Sequence, residues 1–386
     1  MADSKPSKKI TIVYIIDGLG MGGAERLMVP ILRHLNRDLF EPRVCVLQNK
    51  DGNPMEKELL ALGVSVDQLP ILHLRDLTAI HRLNSYLKNV NASLVHTQLE
   101  FANIFGNIAA KFSGLPSVST IHTMPSHNIS RKMKVHQALE MFVLRYFCER
   151  IIAVSEEAGF HHLKIGYSHP DQIRTIYNGI DLSNYTELDQ VTCAASVRAE
   201  FSLPANSKLI TTVAVLRELK GIQYMIAAFP EILLKNQDVY YLIVGDGSHR
   251  NKLEQSTEIL GLKSQIIFTG KRNDIPRLLS ASNIFVLPTL TEALPTVLAE
   301  AMAAHLPIIA SHVGGIPEMI NHENGILLPP KDVQALSEAC SILLADPQKC
   351  SHMGEAGWKI VNQKFNVVTQ VESLKNLYLE LIKNGK

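Results

Sequence analysis

The sequence of 386 residues is too long for one ordinary hydrophobic core, and this length favours about two domains. Its 38 Lys and Arg residues balance its 37 Asp and Glu residues, so no net positive field would attract nucleic acid. The five cysteines are odd in number and lack Cys-x-x-Cys spacing, which argues against a disulfide framework or a zinc site and favours a reducing cytoplasm.

The first predicted strand covers residues 11–16 and follows several lysines. A basic start before an apolar run can indicate a signal peptide, but this run stops at Asp17 and a glycine-rich loop replaces any cleavage site. No run in the sequence approaches the roughly 18 apolar residues that a membrane-spanning helix needs. We therefore expect a cytoplasmic protein that begins with a strand.

Apolar, β-rich runs then alternate with helical patterns, which indicates parallel sheets covered by helices. The predicted strands are 11–16, 43–47, 94–97, 117–121 and 150–154 in the first half, and 209–216, 239–244, 265–269, 283–287 and 307–310 in the second. The polar stretch 183–207 contains Thr, Asn, Asp and a late Pro, and it is predicted to connect the two halves.

The loop 18–23 has the pattern Gly-x-Gly-x-x-Gly directly after a predicted strand. This is the fingerprint of dinucleotide-binding proteins, so an NAD-dependent oxidoreductase is a competing interpretation. The fingerprint needs an acid at the end of the second strand to hold the adenosine ribose, but strand 43–47 is followed by Gln48 and Asn49. The missing acid argues against NAD.

Two carboxylates, Glu292 and Glu300, surround the start of a predicted helix at 295–304. Pro295 suits the first helical position, where its missing N–H costs nothing. The carboxylates would lie roughly 10–12 Å apart, with unpaired backbone N–H groups between them. A nucleotide sugar fits this span, with its diphosphate at the helix start, although an isolated acid pair of this kind is more often a solvated face. Strands on both sides make a βαβ unit, whose ligands bind beyond the carboxyl ends of the strands.

These residues belong to a longer series of motifs. Residues 270–330 contain Pro288-Thr-Leu-Thr-Glu292-Ala-Leu-Pro295, Glu300-Ala-Met-Ala-Ala-His305-Leu-Pro307, His312-Val-Gly314-Gly315-Ile-Pro-Glu318 and Asn324-Gly325-Ile-Leu-Leu-Pro-Pro330. The rest of the chain adds Gly22-Gly-Ala-Glu25-Arg, Thr120-Ile-His122, Ala153-Val-Ser155, Asn178-Gly-Ile-Asp181, Leu216-Arg-Glu-Leu-Lys220-Gly221 and Val244-Gly-Asp-Gly247. In this order they resemble the retaining glycosyltransferases of family GT4, over nearly the whole chain.

The resemblance implies an α/β protein of the GT-B fold, with two Rossmann-like, doubly wound parallel-sheet domains that face each other across a cleft. Residues 1–190 would form the acceptor-side domain and residues 191–366 the donor-binding domain. The terminal helix, 367–386, would cross back to the first domain.

The resemblance also implies roles in the second domain. Glu292 would orient the transferred sugar, and Glu300 would hold the ribose. Lys220, together with Arg217, would stabilise the released diphosphate. Two further donor-binding residues would be Leu294 and Thr296.

In the first domain, the resemblance makes His122 the residue that positions the sugar and stabilises developing charge. The backbone amides of Gly22 and Gly23 would approach a donor phosphate across the cleft. Glu100 would face the acceptor. His122 and Glu292 are the predicted catalytic residues.

The chain departs from the family in several places. Arg217 lies three residues before Lys220, whereas the family's arginine lies five before it, where this chain has Val215. Ala293 and His305 stand where the family usually has glycine, and His305 would be strained if its φ were positive. The chain has no Asp-x-Asp, so protein cations and the helix dipole must carry the diphosphate charge. We therefore expect no metal site and no cofactor besides the UDP- or GDP-sugar substrate.

The implied reaction is transfer of a sugar, with retention, from a nucleoside diphosphate to the hydroxyl group of a polysaccharide, a lipid-linked or a small-molecule acceptor. Two alternatives stay open. One is a GT-B relative that acts as a nucleotide-sugar epimerase or phosphorylase, and the other is a non-catalytic sugar-nucleotide-binding module.

Residues 130–146 form a basic amphipathic helix candidate. Such a helix can lie on anionic lipid, which would place the protein at the inner face of the membrane, near a lipid-linked acceptor. A stripe of this kind more often packs against its own domain. Both interpretations stay open at this point.

Overall fold

The computed structural model describes residues 9–20, 22–50, 52–122, 131–166 and 168–384. The part of the chain that it describes divides into two compact units. The first unit comprises Met1–Gly179 and Val367–Lys386, and the second comprises Ile180–Asn366. Each unit contains one parallel sheet covered by helices, which confirms the predicted α/β class with two Rossmann-like sheets.

Within the described residues, the sheet of the first unit has seven parallel strands in the order β3-β2-β1-β4-β5-β6-β7. Its strands are β1 (Ile10–Ile16), β2 (Phe40–Val46), β3 (Ser65–Gln68), β4 (Leu94–Gln98), β5 (Ser117–Ile121), β6 (Arg150–Ala153) and β7 (Ile173–Thr175). The strand order reverses between β1 and β4, and the carboxyl ends of strands at such a switch point are where ligands bind in open α/β sheets.

Residues 180–366 are all described, and their sheet has six parallel strands in the order β10-β9-β8-β11-β12-β13. These strands are β8 (Lys208–Val213), β9 (Val239–Val244), β10 (Ile266–Gly270), β11 (Ile284–Leu287), β12 (Ile308–Ser311) and β13 (Gly325–Leu328). The switch point of this sheet lies between β8 and β11.

Helices pack against each sheet. In the first segment of the first unit, up to Gly179, the α-helices are α1 (Gly23–His34), α2 (Glu56–Ala61), α3 (Thr78–Asn89), α4 (Asn107–Phe112), α5 (Arg131–Phe147) and α6 (Glu156–Lys164). In the second unit they are α7 (Ser183–Thr186), α8 (Gln190–Glu200), α9 (Ile222–Lys235), α10 (Arg250–Ile259), α11 (Ile275–Ser280), α12 (Thr296–Ala303), α13 (Val333–Ala345) and α14 (Pro347–Lys364). None of the described helices is both long and apolar enough to cross a membrane.

Strand β1 shows why the central strands are apolar throughout. Ile12, Tyr14 and Ile16 belong to the hydrophobic core on one face of the sheet. Val13 and Ile15 belong to the core on the other face. Because helices cover both faces, a central strand has no solvent side and shows no alternation of polar residues.

The last helix, α15 (Val367–Asn384), belongs to the first unit. The buried Tyr378 hydroxyl lies 3.1 Å from the Tyr14 hydroxyl and 2.6 Å from His96 Nδ1. These hydrogen bonds and the apolar residues around them anchor α15 to β1 and β4.

Two sequence-based expectations need correction. The stretch 183–207 is not a connection between domains, because α7 and α8 lie there, inside the second unit. The buried residues of α8 are only Cys193, Val197 and Arg198, so the helix has little apolar periodicity in sequence. The division between the units accordingly falls after Gly179 rather than at residue 190.

The sequence pattern does not predict the strands β3, β7 and β13. Each lies at an edge of its sheet and has four residues or fewer. An edge strand has only one neighbour and is less fully covered, so it needs neither the length nor the apolar content of a central strand.

Candidate functional site

The loops that follow β8 and β11 are held together by backbone contacts. Leu290 donates its backbone N–H to the carbonyl oxygen of Leu219 at 2.8 Å, and the Thr289 hydroxyl donates to the same oxygen at 3.1 Å. Gly221 has a φ of 69° and passes so close to the Pro288 carbonyl that an added Cβ would lie 1.8 Å from its oxygen. Only glycine permits both features, so Gly221 determines how the two loops meet.

Backbone hydrogen bonds also join the loops after β12 and β9 to the loops after β11 and β8. The backbone N–H of Gly315, after β12, donates to the carbonyl oxygen of Ala293 at 3.1 Å. The backbone N–H of Leu216, after β8, donates to the carbonyl oxygen of Asp246, after β9, at 3.0 Å. The carboxyl edge of the second sheet is therefore one connected set of loops.

This edge brings together Lys220 and Glu292. The Lys220 ammonium donates to Glu292 Oε1, and the two side chains are only 26% and 15% exposed. The ion pair lies at the switch point between β8 and β11. A carboxylate and an ammonium group at such a position can bind a polar ligand that offers both hydroxyl groups and negative charge.

Helix α12 begins beside Glu292. The expected start at Pro295 is corrected by one residue: α12 begins at Thr296, and Pro295 precedes it in extended conformation with φ −76° and ψ 109°. Among the described residues, none caps this end with its side chain, and the first turn contains no acidic residue. No acidic residue of the first turn therefore offsets the partial positive charge of the helix start, which suits it to a phosphate group.

The other predicted donor residues of this unit lie along the same segment. Leu294 is buried in the loop, and Thr296 and Glu300 are half-buried on α12. Arg217 is exposed at the start of the turn that contains Lys220, and Val215 is 49% exposed. The contact of Arg217 with a diphosphate stays a prediction.

The backbone of His305, which stands where the family usually has glycine, has the positive φ for which strain was expected. Its φ is 57°, in the left-handed region, and its ring stacks on Trp358 with centroids 5.7 Å apart and planes at 11°. Gly354 packs closely against it, since an added Cβ there would lie 2.0 Å from the His305 carbonyl oxygen. His305 follows the carboxyl end of α12, so it affects helix termination rather than the helix start beside Glu292.

In the first unit, the glycine loop precedes α1. An added Cβ on Gly22 would lie 2.2 Å from Glu25 Oε2, whereas one on Gly23 would meet nothing. The buried Glu25 carboxylate therefore covers Gly22, and Lys50 Nζ lies 3.6 Å from Glu25 Oε1. A donor phosphate at Gly22 and Gly23 would meet this pair, and the expected contact stays a prediction. Met21, within the loop, lies outside the described residues.

His122 follows β5 at the carboxyl edge of the first sheet. Its Nε2 atom lies 3.1 Å from Gln98 Oε1. Burial lowers the pKa of His122 to about 4, and burial lowers the pKa of the neighbouring His96 to about 3. Both imidazoles are therefore neutral at pH 7. A neutral His122 would orient a ligand by hydrogen bonding and would not repel positive charge that develops on a sugar.

Glu100 lies near other ionisable side chains at the carboxyl edge of the first sheet. His136 Nδ1, on α5, lies 2.7 Å from Glu100 Oε1. Nearby, Asp17 accepts a 2.8 Å hydrogen bond from the backbone N–H of Ala102, and burial raises the pKa of this carboxyl to about 6. Burial also raises the pKa of Glu140 to about 7. Perturbed carboxyl groups at the ligand-binding edge of a sheet are candidates for functional residues.

Asp17 and Glu140 are not among the residues predicted for the site. Asp17 comes directly after β1, and a polar residue that ends a buried strand is a usable signal. Glu140 has no comparable signal, because its position in α5 suits an ordinary surface acid. In the described part of the chain, no group of three or more His, Cys, Asp or Glu side chains is placed to hold a metal ion.

Comparisons with known proteins agree with this geometry. A family model described as Glycosyltransferase Family 4 matches residues 21–184, and one described as Glycosyl transferases group 1 matches residues 195–360. The chain is 31% identical over 385 residues to an Escherichia coli UDP-Gal:alpha-D-GlcNAc-diphosphoundecaprenol alpha-1,3-galactosyltransferase, covering 97% of this chain and 98% of the relative.

A second relative is the N-acetyl-alpha-D-glucosaminyl L-malate synthase of Bacillus anthracis, 30% identical over 218 residues, or 55% of this chain and 56% of the relative. The crystal structure of Anabaena HepE in complex with UDP-glucose has the same fold, with a TM-score of 0.85 at 23% identity, covering 96% of this chain and 100% of HepE. The chain therefore belongs to glycosyltransferase family 4, as an enzyme that transfers a sugar from a nucleotide sugar.

Proposed function

We propose that this enzyme takes a sugar from a UDP-sugar and transfers it, with retention and without a metal ion, to a hydroxyl group of a lipid-linked saccharide. The observation that carries the proposal is the Lys220–Glu292 ion pair beside the start of α12. A nucleotide sugar combines a dianionic diphosphate with a polyhydroxylated ring. The site offers a cation and a helix start to the diphosphate, and a carboxylate to the hydroxyl groups of the ring.

The diphosphate would bind at the N–H groups of the first turn of α12, where helix dipole and hydrogen bonds both favour an anion. Lys220 would move its ammonium from Glu292 to the diphosphate, which carries two negative charges where the carboxylate carries one. Glu292 would then accept hydrogen bonds from sugar hydroxyl groups. Glu300, in the second turn of α12, is the proposed ligand of the ribose hydroxyl groups.

Breaking the bond between the anomeric carbon and the diphosphate places negative charge on the leaving group. Lys220 and the start of α12 would stabilise that charge as it develops, which lowers the barrier to a transition state with oxocarbenium character. Positioning and leaving-group stabilisation would then supply catalysis without a covalent nucleophile. Attack by the acceptor on the face that the diphosphate leaves gives retention.

Two facts support the choice of a UDP-sugar as donor and a lipid-linked saccharide as acceptor. The Escherichia coli relative, matched over 98% of its length, is named for UDP-Gal and for an acceptor on diphosphoundecaprenol. HepE has been crystallised with UDP-glucose. In the first unit, His122, Glu100, Gly22 and Gly23 keep their proposed roles in sugar positioning, acceptor binding and phosphate contact.

The test is a thermal-shift titration with UDP, GDP, UDP-sugars and GDP-sugars, followed by an assay of transfer to a polyprenyl-diphosphate saccharide. A ligand that binds only the folded protein raises the melting temperature by mass action. We expect UDP and a UDP-sugar to raise it, and the NMR coupling constant of the product to show the anomeric configuration of the donor. Stabilisation by GDP alone would contradict the assignment of the base, and an inverted product would contradict retention.

A further inference from the structure

The carboxyl end of β4 carries a glutamine that contacts His122. Gln98 is buried, and its Oε1 atom lies 3.1 Å from His122 Nε2. Its amide nitrogen donates to the Sδ atom of Met28, on α1, at 3.1 Å. Gln98 therefore joins His122, after β5, to the helix that follows the glycine loop. The proposed donor, sugar and acceptor contacts do not include this residue.

The thioether of Met28 determines which way the Gln98 amide faces. A thioether sulfur has lone pairs and no hydrogen, so it accepts a hydrogen bond and cannot donate one. Met28 is fully buried, and an amide turned the other way would place two acceptors, its oxygen and the sulfur, against each other. The NH₂ group thus faces Met28, and the amide oxygen faces His122.

The orientation of the amide then fixes the position of the proton on His122. The Gln98 oxygen can only accept, so His122 Nε2 carries the hydrogen that it donates. Burial lowers the pKa of His122 to about 4, so the ring holds a single proton at neutral pH. With that proton on Nε2, Nδ1 keeps its lone pair and is a hydrogen-bond acceptor.

The backbone directly after Gln98 has an unfavourable conformation. Leu99 has a φ of 75°, in the left-handed region that residues with a Cβ rarely adopt. Its carbonyl oxygen accepts a 2.8 Å hydrogen bond from the backbone N–H of Asn103. Such strain persists only where the surrounding structure holds it, and it is concentrated at functional sites. The turn at Leu99 therefore fixes the position from which Gln98 reaches His122.

We infer that Gln98 is a positioning residue, which holds His122 as the Nε2–H tautomer so that Nδ1 accepts a hydrogen bond from a hydroxyl group of the transferred sugar. This role rests on the proposed contact between His122 and the donor sugar. It gives that hydrogen bond a direction, because the sugar hydroxyl donates and the imidazole accepts. A fixed acceptor limits the orientations of the sugar before its bond to the diphosphate breaks.

The direct test is NMR of the full chain with nitrogen-15 in its histidines, since proton–nitrogen couplings within the ring distinguish the tautomers. The loss of signals in His122→Asn assigns the ring. We expect Nε2–H in the wild type, a shift of the Nδ1 resonance with UDP-galactose or UDP-glucose, and no such shift with UDP, which lacks the transferred sugar. Gln98→Met removes the amide at similar volume and should give a mixture of tautomers. An Nδ1–H tautomer in the wild type would overturn the inference.

The kinetic test compares two variants of Gln98. Gln98→Met should lower kcat about tenfold and leave the Kd for UDP unchanged, because only orientation of the transferred sugar is lost. Gln98→Glu still accepts from Nε2–H and should restore kcat at alkaline pH. At lower pH its carboxylate favours the imidazolium, which has no acceptor, so this variant should lose activity where the wild type keeps it. A wild-type kcat in Gln98→Met, or a wild-type pH profile in Gln98→Glu, would overturn the inference.

Gln68 supplies a matched control. It ends β3 at the same edge of the sheet, and its amide donates to Glu56 at 3.0 Å. Gln68→Met should leave kcat and the His122 tautomer unchanged, and an equal fall of kcat in Gln68→Met and Gln98→Met would count against a specific role of Gln98. Failure of the wild type to transfer sugar from a UDP-sugar would contradict the proposed function instead, because the tautomer is measured without substrate.

Discussion

Lys220 and Glu292 form an ion pair although 72 residues separate them in the chain. Each follows a strand of the second sheet, and these strands, β8 and β11, are neighbours at the switch point. The two residues meet because the topology of the sheet places these two strands side by side. Each group satisfies the other, so neither partly buried charge is left without a partner.

Removing either member of the pair should reduce catalysis more than stability. We expect Lys220→Met and Glu292→Gln each to lower kcat/KM by about 10²–10³-fold, the loss typical of a group that stabilises charge in a transition state. Their coupling in urea unfolding should be only about 1 kcal/mol, because the pair is partly exposed. The measurement is a double-mutant cycle read by both kinetics and unfolding. Full activity of Lys220→Met would remove this residue from the mechanism.

Glu300 should act on donor binding rather than on the chemical step. We expect Glu300→Gln to raise the KM for the UDP-sugar about tenfold with little change in kcat, because a ribose contact is the same in ground and transition states. Glu323→Gln, on an exposed acid of the same unit, is the matched control and should behave as wild type. A fall in kcat at unchanged KM would place Glu300 at the reacting sugar instead.

Treatment with EDTA should leave transfer unchanged, because Lys220 and the start of α12 are proposed to carry the charge that a divalent cation would otherwise neutralise. The assay compares initial rates before and after dialysis against the chelator, with and without added Mg²⁺ or Mn²⁺. A rate that falls on chelation and returns with either ion would contradict the prediction.

The stability of the first unit should depend on pH through Glu140. Burial raises the pKa of Glu140 from 4.5 to about 7, so the folded state binds this proton more tightly than the unfolded state. The resulting stability is fully present below pH 4.5 and is lost as the pH rises through 7. We expect Glu140→Gln, which can still accept from Asn103, to raise the free energy of unfolding by about 3 kcal/mol at pH 8 and not at pH 4.

Urea unfolding at the two pH values measures this difference. Glu323→Gln, which removes an exposed carboxylate, is the control and should show no pH-dependent change. An equal effect of Glu140→Gln at both pH values would mean that the substitution acts through packing and not through ionisation.

His305 allows backbone strain to be separated from side-chain contact. His305→Ala and His305→Gly both lose the stack on Trp358, but only glycine adopts a φ of 57° without strain. We expect the glycine variant to be about 1 kcal/mol more stable than the alanine variant. Thermal or urea unfolding of the two variants side by side measures the difference, and a more stable alanine variant would contradict the argument.

Much of the fold follows from local patterns. The central strands are predicted closely, as with residues 239–244, because burial on both faces requires unbroken apolar runs. Edge strands such as β7 are not predicted, since a short strand with one neighbour needs no unbroken apolar run. Helix α8 escapes it as well, because its few buried residues leave a polar stretch that looks like a linker.

The amino-acid sequence alone indicates the alternating α/β pattern, the family and the identity of the residues that are candidates for donor binding. Those features depend on local spacing and on side-chain chemistry, which sequence preserves. The pairing of Lys220 with Glu292, the pairing of Glu100 with His136 and the exposure of apolar residues on α5 become visible only in the folded chain. Contacts between residues far apart in the chain, and the burial that shifts the pKa of Asp17 and Glu140, arise only when strands and helices pack together.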